Sequence, residues 1–432
     1  MSPTFSALAV RNYRIYLLGA IVSNTGTWMQ RIGQDWLVLQ LTNSGTALGI
    51  TTGLQLLPAL LFSPIAGVVA DRMPKRTVLR ITQVAMALPA ALLGILAVTG
   101  AVQTWHVYLL SFLFGIGTAF DAPARQSFVV EIVGSKDLSN AVGLNSASFN
   151  LARMIGPAIA GGLIAALGSG VEGAGWVILV NALSYLAVLM SLQMLDPSRL
   201  TPAQVTGSRK RAVRDGVAYV RSRPDLVLIL ISVFFVGTFG MNFQMTSALM
   251  ATEVYGKGAG GYGLLASIMA IGSLAGALLA ARRSRPRLRV VVLAGAAFGV
   301  VEIIAGLMPT YATFAAILPV LGLCALTMIT SANATIQLTS SPMMRGRVAA
   351  LYLMVFMGGT PVGAPLVGWV GETFGARWMM IGGGGITLLG IAAGLAWFYR
   401  NQDAEREELR QVLRDLRWRN ARRADLHGVE IG

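Results

Sequence analysis

The sequence predicts an all-α membrane protein: twelve transmembrane helices in two pseudo-symmetric six-helix bundles. Three observations carry this. First, 55% of the 432 residues are hydrophobic and only 12% are charged, about half the charge of a soluble domain, which excludes an ordinary soluble enzyme. Second, twelve mostly apolar runs approach or exceed the roughly 20 residues that a spanning helix needs. They lie near 15–40, 46–69, 77–99, 105–122, 139–168, 175–195, 226–250, 262–281, 290–308, 312–338, 348–370 and 377–399. None shows the two-residue alternation of a barrel strand. Third, the basic residues fall almost entirely in every other gap.

Thirty of the 34 Lys and Arg residues sit in the two terminal tails and in the alternate gaps that begin between the second and third runs. Only Lys257 and Arg377 occupy the intervening gaps, and two more, Arg31 and Arg153, lie inside runs. The positive-inside rule then places both termini and the middle loop in the cytoplasm. The net charge of +15 is thus a record of topology, and no nucleic-acid partner is expected. The first run is too long for a signal-peptide core and should remain as an uncleaved span. A single cysteine, Cys324, and two histidines, His106 and His427, leave no expected metal site and no expected cofactor.

The chain divides into a first bundle at 1–196, a cytoplasmic linker at 197–224, a second bundle at 225–400 and a tail at 401–432. The halves echo each other weakly: Ala141 to Ala160 resembles Ala349 to Gly368, each with a proline near its end, Pro157 and Pro365. A parallel repeat of this kind suits a transporter whose halves rock about a midplane site. In the tail, Leu409, Val412, Leu413 and Leu416 recur at helical spacing beside Arg406, Arg410, Arg414 and Arg417. That pattern predicts a basic amphipathic helix on the anionic cytoplasmic face of the bilayer.

Ionisable groups inside a span are functional candidates by default. In the first span Asn24, Trp28, Arg31 and Asp35 share one face, flanked by Thr27, Gln30 and Gln34, as a cavity-lining helix requires. Arg31 and Asp35 are i,i+4 neighbours able to neutralise each other, and Asp35 is the first choice for proton carrier. Arg153, alone in the fifth span, needs a partner elsewhere or an anionic ligand. The second half offers Asn242 and Gln244 in the seventh span and Asn333 and Gln337 in the tenth. Gly382 to Gly385 lies inside the twelfth run without a following Gly-Lys-Ser/Thr, so it is no phosphate loop and an ATP-driven pump is not expected.

Between the second and third spans, Gly67-Val-Val-Ala-Asp71-Arg72-Met-Pro-Lys75-Arg76 resembles the major facilitator superfamily signature at the same gap, with Pro74 in place of the usual glycine. A carboxylate at this mouth can act as a gate by holding a partner in one state and releasing it in another. Arg125, one turn after Asp121 at the end of the fourth span, is a candidate partner. The second-half counterpart, Gly276 to Arg283, has Ala280 where the aspartate would be, so the gate is expected to be asymmetric. In the fifth span Gly156-Pro157-Ala-Ile-Ala160-Gly161-Gly162 resembles the Gly-Pro-x-x-Gly-Gly motif of the superfamily's proton antiporters. Its small residues every four positions also permit close helix packing.

Further stretches resemble one bacterial branch of that superfamily, the group around the enterobactin exporter, also called transmembrane secretion effectors. These are Asn12-Tyr13-Arg14, Trp36 to Thr42, Asp121 to Gln126, and Arg345-Gly346-Arg347 with Gly363-Ala-Pro365. The resemblance implies a monomeric, multi-pass transporter of the bacterial inner (plasma) membrane. It would export siderophores or other amphipathic small molecules against protons by alternating access, with the lipid bilayer as its other partner. It also implies that the third, sixth, ninth and twelfth spans are peripheral, which makes Glu302 in the ninth a snorkelling or packing residue. The competing readings are an importer or uniporter of the same fold and, from a different class, a non-transporting membrane scaffold or enzyme.

Overall fold

A computed structural model describes residues 3–201, 212–281 and 287–401. The amphipathic tail helix expected from residue 401 on, and the basic residues Arg209, Lys210, Arg211, Arg282, Arg283 and Arg285, lie outside this set. Among the described residues there is no strand.

The first span is Arg11–Thr42 and the second Gly45–Arg72. The third is Lys75–Val98, the fourth Thr104–Gly134, the fifth Lys136–Ala166 and the sixth Val171–Met194. A short helix, Ala212–Arg221, precedes the second half. There the spans are Pro224–Val254, Ala259–Ala281, Leu288–Gly306, Tyr311–Thr339, Arg345–Phe374 and Ala376–Asn401. Eleven of the twelve are apolar enough to cross a membrane by composition. The exception is the first: at 32 residues it is roughly 48 Å long, but its polar stripe lowers its hydropathy.

Local sequence sets the turns. Asn43 closes the first span at φ 46°, a conformation asparagine tolerates better than most residues. The next residue, Ser44, caps the second span by accepting from the Ala47 N–H. The expected gap after residue 122 shrinks to a hinge, since the fourth span runs on to Gly134, whose φ of 66° permits the reversal into the fifth. The seventh span is discontinuous. Val236–Gly240 forms a π turn, Met241 and Asn242 leave the helix, and Phe243–Leu249 resumes it. Gly237 and Gly240 flank this break, and π turns concentrate at functional sites.

The first span packs on the fifth and sixth, the third on the fourth and sixth, and the tenth on the eighth and ninth. Two pairs join the halves: second with eleventh, and fifth with eighth. Both pairs touch backbone to backbone. A Cβ placed on Gly45 would lie 2.8 Å from the Gly368 carbonyl oxygen, and one on Gly53 2.8 Å from that of Pro361. One on Gly161 would lie 2.6 Å from the Ala259 oxygen. All these contacts lie toward the end of the molecule away from Arg72, Lys75, Arg125 and Arg347, which mark the basic end.

Candidate functional site

Six spans converge on a cavity of about 220 Å³ near the middle of the molecule. The first span contributes Trp28 and Arg31, the fifth Arg153 and Pro157, and the broken seventh Asn242 and Gln244. Leu56, Met241, Met245, Met269 and Phe356, with the hydroxyls of Thr52 and Thr360, complete most of a largely apolar wall. No carboxylate lines it. A second space of about 400 Å³ adjoins it toward the basic end, lined by Asn24, Thr27, Asp121, Arg125, Asn145 and Asn150 among others. The two share Arg31 and Leu56.

The cations in the cavity are incompletely paired. The Arg31 guanidinium lies 4.8 Å from the centre of the Trp28 ring and donates to Gln244 Oε1 at 3.5 Å. Its Nε is buried without a partner. Arg153 stands over the same indole at 5.6 Å, and among the described residues no acid pairs with it. Two guanidiniums against one indole gain some cation–π energy, but they leave a positive centre in a low-dielectric place.

The expected Arg31–Asp35 ion pair is not formed. Asp35 instead accepts a 2.8 Å hydrogen bond from the Tyr262 hydroxyl of the eighth span, across the boundary between halves. Asp35 sits one turn beyond the cavity lining, toward the closed end. Tyr262 is absent from the sequence-derived candidates. Its only sequence signal is its position inside Gly260-Gly261-Tyr262-Gly263, where the glycines let the fifth span come close enough for the eighth to reach the first. A second bridge was equally hidden: Glu372 of the eleventh span accepts from the Ser44 hydroxyl at 2.6 Å and the Thr46 N–H at 3.1 Å. It thereby places an anion at the N-terminus of the second span, where the helix dipole favours it.

The remaining candidates separate. Gln30 accepts from Asn181 of the sixth span, inside its own half. Gln34 donates to Gln55 at 3.4 Å. Asn24 faces the space toward the basic end. Asn242 donates to the Thr238 and Phe239 carbonyls and so supports the break in the seventh span. Gln337 donates to Asn333 at 2.8 Å, and neither lines the central cavity.

At the basic end the signature splits into pinned and free residues. Lys75 pairs with Glu131 at 3.3 Å, and Arg76 donates to the Leu192 and Gln193 carbonyls. Asp71 and Arg72 are exposed and no bond of either is described. Pro74 sits at φ −57°, so the turn has no need of the glycine it replaces. Arg125 is committed to Asp121 at 2.8 Å, and Thr82 and Gln83 donate to the same carboxylate. This network, rather than a bond to Asp71, holds Arg125, whose Nη1 is left buried without a partner. Gly67 has open space beside it.

In the fifth span, Gly156 abuts Trp28 and Thr25 of the first span, while Gly161 meets Ala259 and Gly263 of the eighth. A Cβ on Gly162 would meet nothing within 4 Å, so close helix packing does not require glycine at that position. Of the two readings the sequence left for Glu302, snorkelling or packing, the structure takes packing: the residue is fully buried.

The family model described as "Transmembrane secretion effector" matches residues 2–419. The chain is 27% identical over 379 residues to the multidrug efflux pump Tap of Mycolicibacterium fortuitum, covering 84% of this chain and 89% of that one. It is 28% identical over 256 residues to the staphyloferrin A transporter of Staphylococcus aureus, covering 59% of this chain and 63% of the relative. Among solved structures, a bacterial homologue of the iron transporter ferroportin in an inward-facing state superimposes with TM-score 0.71 at 13% identity, covering 90% and 98% of the two chains. The inward-facing, occupied structure of a bacterial homologue of the lysosomal transporter Spinster gives 0.68 at 18%, covering 90% and 97%.

Proposed function

This chain belongs to the transmembrane secretion effectors, a family of major facilitator transporters, and we propose that it exports amphipathic small molecules that are anionic or neutral. One observation carries the substrate class. The central cavity presents Arg31 and Arg153 against Trp28, an otherwise largely apolar wall and no acid. A lipophilic cation would meet uncompensated like charge there, whereas a carboxylate or phenolate would supply the missing partner. A relative named as a multidrug efflux pump supports export, and one named as a staphyloferrin A transporter supports a small-molecule cargo.

In this reading the basic end faces the cytoplasm of a bacterial plasma membrane, with both termini on that side, and the protein works as a monomer. The chain as described is loaded from within. Asp35 is the proton carrier: its carboxylate accepts from Tyr262 while the outer end is closed, and takes a proton when that end opens. Protonation removes the charge that strengthens the bond, which ties the proton to the position of the halves. Asp71, free in this state, finds its partner when the basic end closes.

The test is uptake into energised inverted vesicles, using a hydroxycarboxylate siderophore, an uncharged macrolide and a lipophilic quaternary amine. The reading expects accumulation of the first two, abolished by a protonophore. Accumulation of the amine alone would reject it.

A further inference from the structure

Among the described residues, Glu302 is a fully buried acid with no bonded partner. It lies in the ninth span with none of its surface exposed, and neither carboxyl oxygen has a hydrogen-bond partner. The space around it is shaped by glycine. A Cβ on Gly240 of the seventh span would stand 3.1 Å from Oε2, and a Cβ on Gly383 of the twelfth span 3.3 Å from Oε1. One turn earlier on the same helix face, Phe298 packs edge-on against Phe243 at 5.7 Å. The Phe298–Glu302 face therefore rests on the break in the seventh span, between Gly240 and Phe243.

No counter-charge reaches it. The titratable groups on the spans packed around it are Asp225 and Glu253 on the seventh, Tyr311 and Cys324 on the tenth, and Arg377, Tyr399 and Arg400 on the twelfth. Among the described residues none bonds to Glu302. Arg377 reaches the end of the ninth span one turn past Glu302, but it is engaged there, donating to the Gly306 and Met308 carbonyls at 2.8 Å each. An ionised carboxylate in such a place, with neither donor nor cation, costs several kcal/mol. The neutral acid is the form this packing accommodates.

We propose that Glu302 is a second proton-binding site, seated at the hinge of the seventh span and holding its proton in the conformation described. The proton is kept while the Gly240 backbone closes the site. Ionisation requires donors, and the backbone of the break is the part of the wall free to supply them, because glycines at 237 and 240 let it rearrange. Loss of the proton therefore loosens the residue 236–243 segment, which also forms one wall of the central cavity through Met241, Asn242 and Gln244. The proton site stands on the buried geometry alone and does not depend on the exporter reading.

The test is pH-difference infrared spectroscopy on the full chain in lipid, with Asp35→Asn and Glu302→Gln variants. The expected result is a neutral carboxylic C=O band that Asp35→Asn retains and Glu302→Gln deletes. Glu302→Asp, which keeps the acid, should shift the band rather than remove it, and decides the matter if the Gln variant fails to fold. A band unaffected by either Glu302 substitution overturns the proposal. So does a band abolished by sodium ions at constant pH, which would make this a cation site. In hydrogen exchange at matched pH, the wild-type rate for 236–243 should climb relative to Glu302→Gln as pH rises; a flat ratio overturns the coupling to the hinge. Loss of proton-driven uptake in Asp35→Asn with the Glu302 band intact separates this site from the transport reading.

Discussion

The two ends of the molecule are built from opposite materials. At the end away from the basic gaps, glycine backbones of the second and fifth spans press on the eleventh and eighth, and two carboxylates, Asp35 and Glu372, bridge the halves. At the basic end the charged residues are bonded within their own half: Asp121 with Arg125, Lys75 with Glu131. Every hydrogen bond described between the two halves lies at the middle or at the closed end. The contrast teaches that closure rests on close backbone approach locked by a few switchable bonds, while the basic end is preassembled within each half and left unjoined.

Disrupting the closed end should have the largest effect. Gly49 faces the Ala364 carbonyl so closely that Gly49→Leu cannot coexist with the packed state, an overpacking penalty of about 1–3 kcal/mol or more. Spin labels at the exposed positions Gln40 and Phe374, in a Cys324→Ser background, should report a population shift of about tenfold or more toward a separated closed end. An unchanged distance distribution would mean that the glycine contacts do not set the state. Next in size, Arg153→Ala should weaken binding of an anionic siderophore by about tenfold, as expected for one charge-assisted hydrogen bond. Binding of a neutral macrolide should change far less, and equal losses for both would remove Arg153 from charge recognition. The smallest effect belongs to the basic end. Asp71→Asn should leave substrate affinity unchanged and slow turnover several-fold, and full turnover would make the signature a plain turn.

The sequence made the architecture legible because hydropathy and charge sidedness are local sums over many residues, robust to any single substitution. Both guanidiniums of the site were visible too, since Arg31 and Arg153 are the two charges that sidedness leaves unexplained. Their surroundings were not. Spacing alone paired Arg31 with Asp35, but an i,i+4 pair is worth only a few tenths of a kcal/mol and yields to a hydroxyl delivered by another helix. Tyr262 and Glu372 act across the halves, at separations of 227 and 328 residues from their partners, where no local pattern records them. For Glu302 the sequence left snorkelling and packing both open, because a rule about which spans are peripheral says nothing about which face of the span a side chain occupies; the buried position takes the packing side.

The central claim is that the closed end and the proton share one group, Asp35 with its Tyr262 donor. Its most direct test is substrate-dependent proton movement across proteoliposomes containing the wild type, Asp35→Asn or Tyr262→Phe. The account predicts that Asp35→Asn still binds the exported compound but moves no protons against it. Tyr262→Phe, which keeps the carboxylate and removes one charge-assisted hydrogen bond worth about 1.5–3 kcal/mol, should remain coupled and open its closed end more readily. Full proton exchange by Asp35→Asn would contradict the account.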